Sequence, residues 1–205
     1  MTIALDIKNL TCVRGQRVLF RDLSFSLAAG RALSLQGPNG AGKTSLLRLI
    51  AGFLRPAAGT IRVRTNGEEV ADAEERGKFM GWLAHQAAVK PQLGVREQLA
   101  FFALLYQSGR DPEEAMWTFG LMPLAELPGQ YLSAGQKRRL ALARLHLAAR
   151  PLWLLDEPLA ALDTAGKKLV AETVTAHCAS GGIVVAATHE ELGVECETLI
   201  LGAAR

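Results

Sequence analysis

The stretch Gly37-Pro38-Asn39-Gly40-Ala41-Gly42-Lys43-Thr44 decides the fold of this chain. It fits the pattern Gly-x4-Gly-Lys-[Ser/Thr], in which a glycine-rich loop turns its backbone N–H groups toward bound phosphate. The apolar run 32–36 leads into the stretch, and residues 44–51 follow with the apolar spacing of a helix. This is the context that the motif needs, and the helix start adds its positive dipole end to the same anion. The stretch therefore predicts a site for a nucleoside triphosphate; a glycine-rich turn that matches by chance is the alternative.

The residues of the loop have different expected roles. Lys43 supplies a positive charge to the β- and γ-phosphates, and the hydroxyl of Thr44 is suited to ligate Mg²⁺. A nucleotide together with Mg²⁺ is therefore the expected ligand. The predicted nucleotide-binding residues are Gly37, Pro38, Asn39, Gly40, Ala41, Gly42, Lys43, Thr44 and Ser45.

Two acids follow a second apolar run. Residues 152–155 have the pattern of a buried strand, and Asp156 and Glu157 come directly after it. The carboxyl end of a strand in a parallel sheet is where ligands are expected. We therefore expect Asp156 to hold Mg²⁺ and Glu157 to polarise the attacking water, which predicts hydrolysis of the nucleotide. In the alternative interpretation, both acids merely begin a loop before Pro158.

Composition limits the class of protein. With 205 residues, one compact unit is the default, and an apolar share of 49% is ample for a buried core. The net charge is only +3, from 23 basic and 20 acidic residues, so a nucleic-acid binder driven by phosphate contacts is not expected. The cysteines Cys12, Cys178 and Cys196 are widely spaced and include no Cys-x-x-Cys pair. We therefore expect neither a disulfide framework nor a zinc site, which fits a reducing cytosol.

Strand and helix patterns alternate along the chain. Strand patterns cover 3–9, 18–20, 23–27, 32–36 and 59–63 in the first part, and 152–155, 183–187 and 198–201 in the last. Between them, 94–147 has mostly helical spacing with Gly and Pro breaks at 108–112 and 122–130, and 164–179 is a further helix. This alternation predicts an α/β fold whose parallel sheet is covered on both faces.

Four further motifs resemble those of the ABC ATPases, and the resemblance covers 3–201. Gln86 stands where that family has its Q-loop glutamine, and His189 stands where it has its switch histidine. Ala160-Ala161-Leu162-Asp163 resembles the D-loop, whose acid is Asp163 here. The residues that match the signature motif, at the start of a predicted helix, are Leu132, Ser133, Ala134, Gly135 and Gln136.

The resemblance implies an architecture. The expected fold is a P-loop NTPase core with a parallel sheet, a small N-terminal antiparallel β part and a helical signature subdomain. A single ABC ATPase domain would span 1–205. Its core would comprise about 1–87 and 148–205, and its helical subdomain about 88–147.

The resemblance also implies a mechanism that hydrolyses ATP. In the family, the signature loop faces the γ-phosphate held by another subunit, and a helix N-terminus is physically suited to that anion. Two copies of this chain are therefore expected to pair head to tail around two ATP molecules, to close on binding and to open on hydrolysis. The expected catalytic residues are Glu157, His189 and Gln86, and the expected metal ligands are Thr44, Gln86 and Asp156.

The chain departs from the usual family pattern at two positions, and it has one basic run. The signature has Ala134 where the family usually has glycine, and a small side chain should still permit close approach of phosphate. Arg14 stands near the family's adenine-stacking aromatic residue, so either its guanidinium stacks on the base or Phe20 takes that role. The basic run Lys137-Arg138-Arg139 is interpreted as a solvated helix face rather than as a binding patch.

Within the family, the chain resembles the ATP-binding subunits of haem exporters in bacterial cytochrome c maturation. Such subunits lie peripherally on the cytoplasmic face of the inner membrane and work with integral membrane subunits. The chain has no Cys-x-x-Cys-His and only four histidines, so we expect the membrane partners, and not this chain, to handle haem. The runs that carry the likeness are 19–20, 23–25, 85–86, 132–139, 142–145, 152–158 and 160–163.

Membrane attachment is expected to run through those partners. Residues 1–9 lack the basic start and apolar middle of a signal peptide, and no stretch approaches the ~18 uncharged residues of a membrane helix. The resemblance assigns partner contact to the segment after Gln86, up to about Phe102. Val89, Pro91 and Leu93 fit a small apolar docking surface there, or equally ordinary core.

Other functions stay open at this point. The ATPase of another small-molecule transporter is the closest alternative, and nothing in the 205 residues excludes it. A soluble ABC ATPase that acts on DNA or ribosomes is disfavoured, because the chain has one set of motifs and no heptad run. A nucleotide-binding regulator without hydrolysis is disfavoured by Glu157 and His189.

Overall fold

The computed structural model describes residues 2–70 and 72–202, which form two β-sheets with helices packed around them. The strands are β1 (Ile3–Arg14), β2 (Arg17–Leu27), β3 (Ala32–Gln36), β4 (Ala58–Thr65), β5 (Glu68–Glu69), β6 (Met80–Leu83), β7 (Leu152–Asp156), β8 (Ile183–Ala187) and β9 (Glu197–Ile200). The helices are α1 (Lys43–Ile50), α2 (Ala73–Gly77), α3 (Val95–Tyr106), α4 (Pro112–Thr118), α5 (Ala134–Leu147) and α6 (Thr164–Ala179), with short 3-10 helices at Met122–Leu124 and Gly129–Tyr131.

The larger sheet has five strands in the order β6-β7-β8-β3-β9, and each neighbouring pair in it is parallel. All residues of β7 and β8 are buried. Full burial of continuous apolar strands follows from covering a parallel sheet on both faces. This confirms the predicted α/β fold, and β3 and β8 have the predicted bounds.

The smaller sheet is antiparallel, in the order β2-β1-β4-β5, and its first two strands form a hairpin. Both strands of the hairpin are longer than predicted, because the sequence pattern ended the first at residue 9 and divided the second. Asn9 and Asp22 have positive φ, 49° and 52°, and the pairing register shifts beside them. Such bulges break the two-residue alternation on which the strand prediction depends. The small N-terminal antiparallel part implied by the family resemblance is confirmed.

Sequence patterns predicted neither α2 nor β6. The strand β6 has four residues and lies beside β7 at the edge of the parallel sheet. Gly81 weakens its strand pattern, yet packing requires glycine there. A Cβ on Gly81 would lie 2.4 Å from Cδ1 of Leu145 and 3.2 Å from Cδ1 of Trp153. Helix α5 therefore packs directly on the backbone of β6, and this contact fixes the start of the loop that carries Gln86.

Helices α3, α4 and α5 occupy most of the segment that was predicted to be helical, and the breaks between them overlap the predicted breaks. The side chains at their centre are fully buried, among them Val95, Leu99, Met116, Phe119 and Leu140. Within the described part of the chain, no helix has both the length and the apolar character needed to span a bilayer.

His177, near the end of α6, makes the stability of the fold depend on pH. Its ring stacks on Trp153 with 3.8 Å between ring centroids, and its Nε2 lies 3.1 Å from the carbonyl oxygen of Pro151. Burial lowers the pKa of His177 to about 4. The unfolded chain takes up this proton near pH 6.5, whereas the folded chain does so only near pH 4. The stabilising contribution is therefore complete above pH 6.5 and is lost as the pH falls toward 4.

We expect the free energy of unfolding to fall by about 3 kcal/mol over this pH range on account of His177 alone. Urea denaturation at a series of pH values measures this slope, and His177→Gln is expected to reduce it, whereas His146, whose pKa burial also lowers to about 4, keeps its own contribution to the slope. His85→Gln changes an exposed histidine and serves as the control, with the slope of the parent chain. A His177→Gln variant that keeps the full slope would contradict the assignment.

Candidate functional site

The loop between β3 and α1 has the backbone conformation that its glycines predict. Gly37, Gly40 and Gly42 have φ values of 136°, 79° and 102°, a region that favours glycine. A Cβ on Gly37 would lie 2.2 Å from the carbonyl oxygen of Leu201. Gly42 is the N-cap of α1, whose first turn carries no acidic residue. Because no carboxylate in the first turn neutralises the positive end of the helix dipole, the N-terminus of α1 is suited to bind an anion in the loop.

Lys43 is held against this loop by its amine. Nζ donates hydrogen bonds to the carbonyl oxygens of Gly37 at 2.8 Å and Pro38 at 3.3 Å, and lies 3.2 Å from Nε2 of His189. The lysine is 8% exposed. None of these three partners is a carboxylate, so the charge of the amine is available to a phosphate group.

The acids after β7 reach the loop from a strand of the same sheet. Asp156 is 5% exposed, and its Oδ1 and Oδ2 accept the hydroxyl of Thr44 at 3.0 and 3.2 Å. Glu157 has a positive φ of 51°, and its N–H donates to the carbonyl oxygen of Ala187. Its Oε1 lies 3.5 Å from Nε2 of His189. A non-glycine residue in this strained conformation persists only where its surroundings hold it, here to aim the acid at the histidine.

One open cleft of about 660 Å³ collects these groups at the carboxyl edge of the parallel sheet. It brings together the glycine loop, a cation, a buried acid and an acid–histidine pair. Such an arrangement can bind phosphate and activate a water molecule beside it. Of the residues predicted from the sequence, those that line the cleft are Asn39, Gly40, Ala41, Gly42, Lys43, Thr44, Ser45, Asp156, Glu157 and His189.

Gln86 lies at the border of this site. It is exposed, in the loop after β6, and lines a second cavity of about 650 Å³. Arg48, His85 and Asp156 belong to the walls of both cavities, so the two spaces adjoin. The structure thus brings Gln86 into one cavity with Asp156, although Gln86 does not line the cleft itself.

The prediction that the basic run on α5 is a solvated face is wrong for Arg138, which is 4% exposed. Its Nη1 and Nη2 donate to the carbonyl oxygens of Ala84 and His85 at 2.8 Å each. Burial lowers the pKa of Arg138, and the nearby charges of Asp156 and Glu157 raise it. The helix that begins at the signature motif is thereby bonded to the loop after β6, a link that the run of three basic residues does not indicate.

We expect Arg138→Ala to lower the free energy of unfolding by about 3 kcal/mol, because two carbonyl oxygens lose their charged donor. Turnover of ATP should fall more than ATP affinity does, since the loop that carries Gln86 loses its tie to α5. Urea denaturation and phosphate release measure the two effects. Arg138→Lys should not restore them, because an ammonium group lacks the fork that reaches both carbonyls. Lys137→Ala is the matched control, and a loss below about 1 kcal/mol in Arg138→Ala would contradict the role.

The signature loop lies apart from the cleft of its own chain, since none of residues 132–136 is among the described residues that line the cleft. Ser133 is the N-cap of α5: its hydroxyl accepts the N–H of Gln136, and Oε1 of Gln136 accepts the N–H of Ser133. This reciprocal pair fixes the start of the helix. Leu132 is buried, whereas Ser133 and Ala134 are exposed. The N-terminus of α5 is therefore presented at the surface of the single chain.

The D-loop is fixed to the same helix. A Cβ on Gly135 would lie 2.8 Å from the carbonyl oxygen of Ala161, which has a positive φ of 63°. Asp163 accepts the N–H of Gly166 at 2.8 Å and pairs with Arg139 at 3.0 Å. The Gly166 hydrogen bond lowers the pKa of the Asp163 carboxyl, and Arg139 lowers it further. Arg139 therefore pairs with Asp163, although the basic run was interpreted as a solvated face.

Of the two candidates for stacking on the base, Phe20 is engaged elsewhere. Its ring carbons Cδ1 and Cε1 lie 3.2 Å from the position of a Cβ on Gly42, so the ring packs against the glycine loop. Arg14 instead lines the cleft. The structure therefore leaves Arg14, and not Phe20, facing the space where a nucleotide would lie.

The segment that was expected to dock a partner is only partly core. Val89 is half-buried against the core, whereas Pro91 and Leu93 are exposed, the latter by 39%. The buried side chain of Gln98 holds the segment: it accepts the N–H of Lys90 and donates to the carbonyl oxygens of Lys90 and Leu93. The exposed part offers a small, rigidly held apolar surface, whose role as a docking site stays a prediction.

Comparison with known proteins identifies the family. The model of the family described as ABC transporter matches residues 20–160. A protein of Paramagnetospirillum magneticum named cytochrome c biogenesis ATP-binding export protein CcmA is 51% identical over 193 residues, 91% of this chain and 88% of that protein. A protein of the same name from Rhodopseudomonas palustris is 48% identical, over 96% of this chain and 97% of that protein. Another from Rhodospirillum rubrum is 49% identical, over 94% of this chain and 83% of that protein.

Solved structures agree with this assignment. A putative ABC transporter ATP-binding protein from Pyrococcus furiosus superposes with a TM-score of 0.81 at 26% identity, over 97% of each chain. A dimeric ATP-binding cassette in a post-hydrolysis state, with ADP and phosphate bound, has the same fold, with a TM-score of 0.77 at 22% identity over 96% of this chain and 94% of that one. This chain therefore belongs to the ABC transporter family and, within it, to the group of cytochrome c biogenesis ATP-binding export proteins.

Proposed function

We propose that this chain hydrolyses ATP to power the membrane exporter of cytochrome c biogenesis, with haem as the cargo of the assembled transporter. The observation that carries the ATPase part is the cleft in which His189 lies within 3.2 Å of Lys43 and 3.5 Å of Glu157. The cargo and the pathway rest on the relatives, which share one name at 45–51% identity.

Binding of ATP begins with its phosphates. The N–H groups of the glycine loop and the start of α1 surround the β-phosphate, and Nζ of Lys43 exchanges its carbonyl partners for β- and γ-phosphate oxygens. Charge-assisted bonds of this kind are stronger than the neutral bonds that they replace. The nucleotide-binding residues are those of the predicted stretch, 37–45.

Thr44 and Asp156 fit a Mg²⁺ ion that accompanies the nucleotide. Their oxygens lie 3.0 and 3.2 Å apart, and both are of the hard type that Mg²⁺ prefers. Among the described residues, no three His, Cys, Asp or Glu side chains form a metal cluster, and an ion held largely by phosphate and water oxygens needs none. When bound, Mg²⁺ neutralises charge that develops on the phosphates. Gln86 is proposed to complete this set from the adjoining cavity.

Hydrolysis then requires a base beside the γ-phosphate. Glu157, aimed by its strained backbone, accepts a proton from the attacking water as the water bonds to phosphorus and the bond to the leaving ADP oxygen breaks. His189, between Lys43 and Glu157, is placed to donate to a γ-phosphate oxygen. Gln86 orients the water from the side of Asp156.

The signature loop requires a second copy of the chain. The N-terminus of α5 is exposed and lies apart from the chain's own cleft, so it is free to face the γ-phosphate of another subunit. We therefore propose a head-to-tail dimer with an ATP between the glycine loop of one copy and Ser133, Gly135 and Gln136 of the other. Asp163 contributes the D-loop acid to that interface.

Transport itself is assigned to partners. The proposed complex joins two copies of this chain to integral membrane subunits at the cytoplasmic face of the inner membrane. The apolar surface at Pro91 and Leu93 supports docking of a membrane subunit, next to the loop that carries Gln86. Haem is handled by the membrane subunits in this proposal.

A pull-down of the tagged chain from native membranes tests the proposal, with mass spectrometry and haem absorbance on the eluate. We expect integral subunits of cytochrome c maturation to co-purify. Co-purification of different integral subunits would indicate a different cargo and would leave the proposed ATPase activity unchanged. Recovery of ribosomal or DNA-repair proteins alone would overturn the transport function.

A further inference from the structure

A separate cavity of about 330 Å³ lies near the amino ends of β7 and β8, whereas the nucleotide cleft lies at the carboxyl edge of the same sheet. It is bounded by the loop before α4, by the ends of α4 and α5, and by one side of α6. None of the described residues that line this cavity also lines the nucleotide cleft. Its volume is within the range of sites for small molecules. The cavity is therefore a candidate site for a ligand other than the nucleotide.

The inner wall of the cavity is aromatic and firmly held. Trp153 is 2% exposed, and its ring stacks on that of His177 with 3.8 Å between centroids and 11° between planes. Nε2 of His177 lies 3.1 Å from the carbonyl oxygen of Pro151, which fixes the orientation of the imidazole. Leu169 and Ala176 of α6 add apolar surface to the wall. A wall of this kind suits the flat ring of an aromatic ligand.

The outer wall carries a cation with unused donors. Nη1 of the exposed Arg110 donates to the carbonyl oxygen of His146 at 2.7 Å. No carboxylate in the described part of the chain forms an ion pair with this guanidinium. Glu172, which also lines the wall, lies 3.7 Å from Lys168 instead. Because a guanidinium has a planar fork of N–H donors, Arg110 retains donors that can bind a carboxylate.

The ring of His146 supplies a second polar group. It packs edge-on against Phe119, and burial, followed by the charge of Arg110, lowers its pKa to about 4. The imidazole is therefore neutral near pH 7, with one N–H to donate. Within residues 2–70 and 72–202, the histidine rings with hydrogen bonds are those of His177 and His189. The N–H of His146 is thus available to a ligand in the cavity.

We propose that this cavity binds a small aromatic carboxylate. The ring of the ligand packs on the wall formed by Trp153 and His177, and its carboxylate accepts N–H groups from Arg110 and His146. A neutral aromatic molecule would lack the charge-assisted bonds to the guanidinium. An aliphatic acid would lack the contact between aromatic rings. The two walls together therefore define the chemical class of the ligand.

Naphthoate is a suitable probe, and naphthamide is its neutral counterpart. Ligand-observed NMR titration of the purified full-length chain should give a Kd for naphthoate of about 0.1 mM, the scale expected for a ligand of this size. Arg110→Ala should raise this Kd at least about tenfold and change the Kd for naphthamide less than about twofold, because only the carboxylate loses charged donors. Ala176→Leu, which fills the cavity from an exposed position of α6, should raise both Kd values about tenfold or more.

Two matched controls lie outside the cavity. Arg21→Ala removes an exposed arginine, and Ala165→Leu enlarges an exposed residue of α6, so both should keep the parental Kd for naphthoate. Saturating ATP should also leave this Kd within about twofold of its value without ATP. Displacement of naphthoate by ATP would place the probe in the nucleotide cleft and overturn the inference.

Three other results would overturn it as well. They are absence of naphthoate binding to the parent chain, parental affinity in Ala176→Leu, and equal losses of naphthoate and naphthamide in Arg110→Ala. None of these results depends on hydrolysis of ATP, so the proposed ATPase function is tested separately.

Discussion

We expect Glu157→Gln to lose nearly all ATP turnover while it keeps ATP binding. Loss of a general base costs about 10²–10⁴ in rate, and glutamine preserves the size of the side chain without a group that accepts the proton. The strained backbone at this position and the bond from its N–H to Ala187 are unaffected by the exchange. Phosphate release gives the turnover, and calorimetric titration gives the Kd for ATP.

The comparison variant is Glu172→Gln, which makes the same exchange at an exposed position of α6. It should retain parental turnover. A Glu157→Gln variant that keeps more than about a tenth of parental turnover would remove Glu157 from the role of general base. A variant that no longer binds ATP would show that the acid serves binding instead.

Lys43→Ala is expected to have the opposite profile, a loss of ATP binding from which the loss of turnover follows. The amine is the buried cation closest to the glycine loop, with bonds to the carbonyl oxygens of Gly37 and Pro38. Its charge-assisted bonds to two phosphates are worth enough to raise the Kd for ATP about 100-fold when removed. Titration with ATP measures the change directly.

Lys168→Ala, at an exposed position of α6, is the control for loss of one positive charge. An ATP affinity within about threefold of the parent in Lys43→Ala would contradict the assignment of this lysine. Together, the variants at Lys43 and Glu157 separate binding from chemistry, because both are expected to lose turnover but only Lys43→Ala is expected to lose ATP binding.

The strands that carry the candidate site could be predicted from the sequence, because they are buried on both faces. The strands β3, β7 and β8 are continuous apolar runs, and fully buried strands have that pattern whatever their neighbours are. The glycine loop was equally predictable, since φ values such as those of Gly37 and Gly42 restrict the choice of residue. The bulges at Asn9 and Asp22 could not be predicted, because they depend on pairing between strands.

What the sequence could not give is proximity between distant elements. Glu157 meets His189 because β7 and β8 are neighbours in the sheet, an order that no local pattern contains. Arg138 was misjudged because three successive basic residues suggest solvent exposure. A signal was present: Arg138 shares the helical spacing of the buried Leu142 and Leu145, which places it on the core side of α5.

Gly135 touches the backbone of Ala161 in the same chain, and Arg139 ties Asp163 to the same helix. We expect a signature loop and a D-loop that are joined in this way to move as one body. In the proposed dimer, that body contacts the ATP of the partner at one end and, at the other, follows Glu157, the proposed general base of its own chain. Each hydrolysis event would therefore alter the other site, since one rigid element contacts both.

We expect the rate of ATP turnover to rise sigmoidally with ATP concentration. In a mixed dimer, one inactive subunit should lower the rate of turnover by more than half.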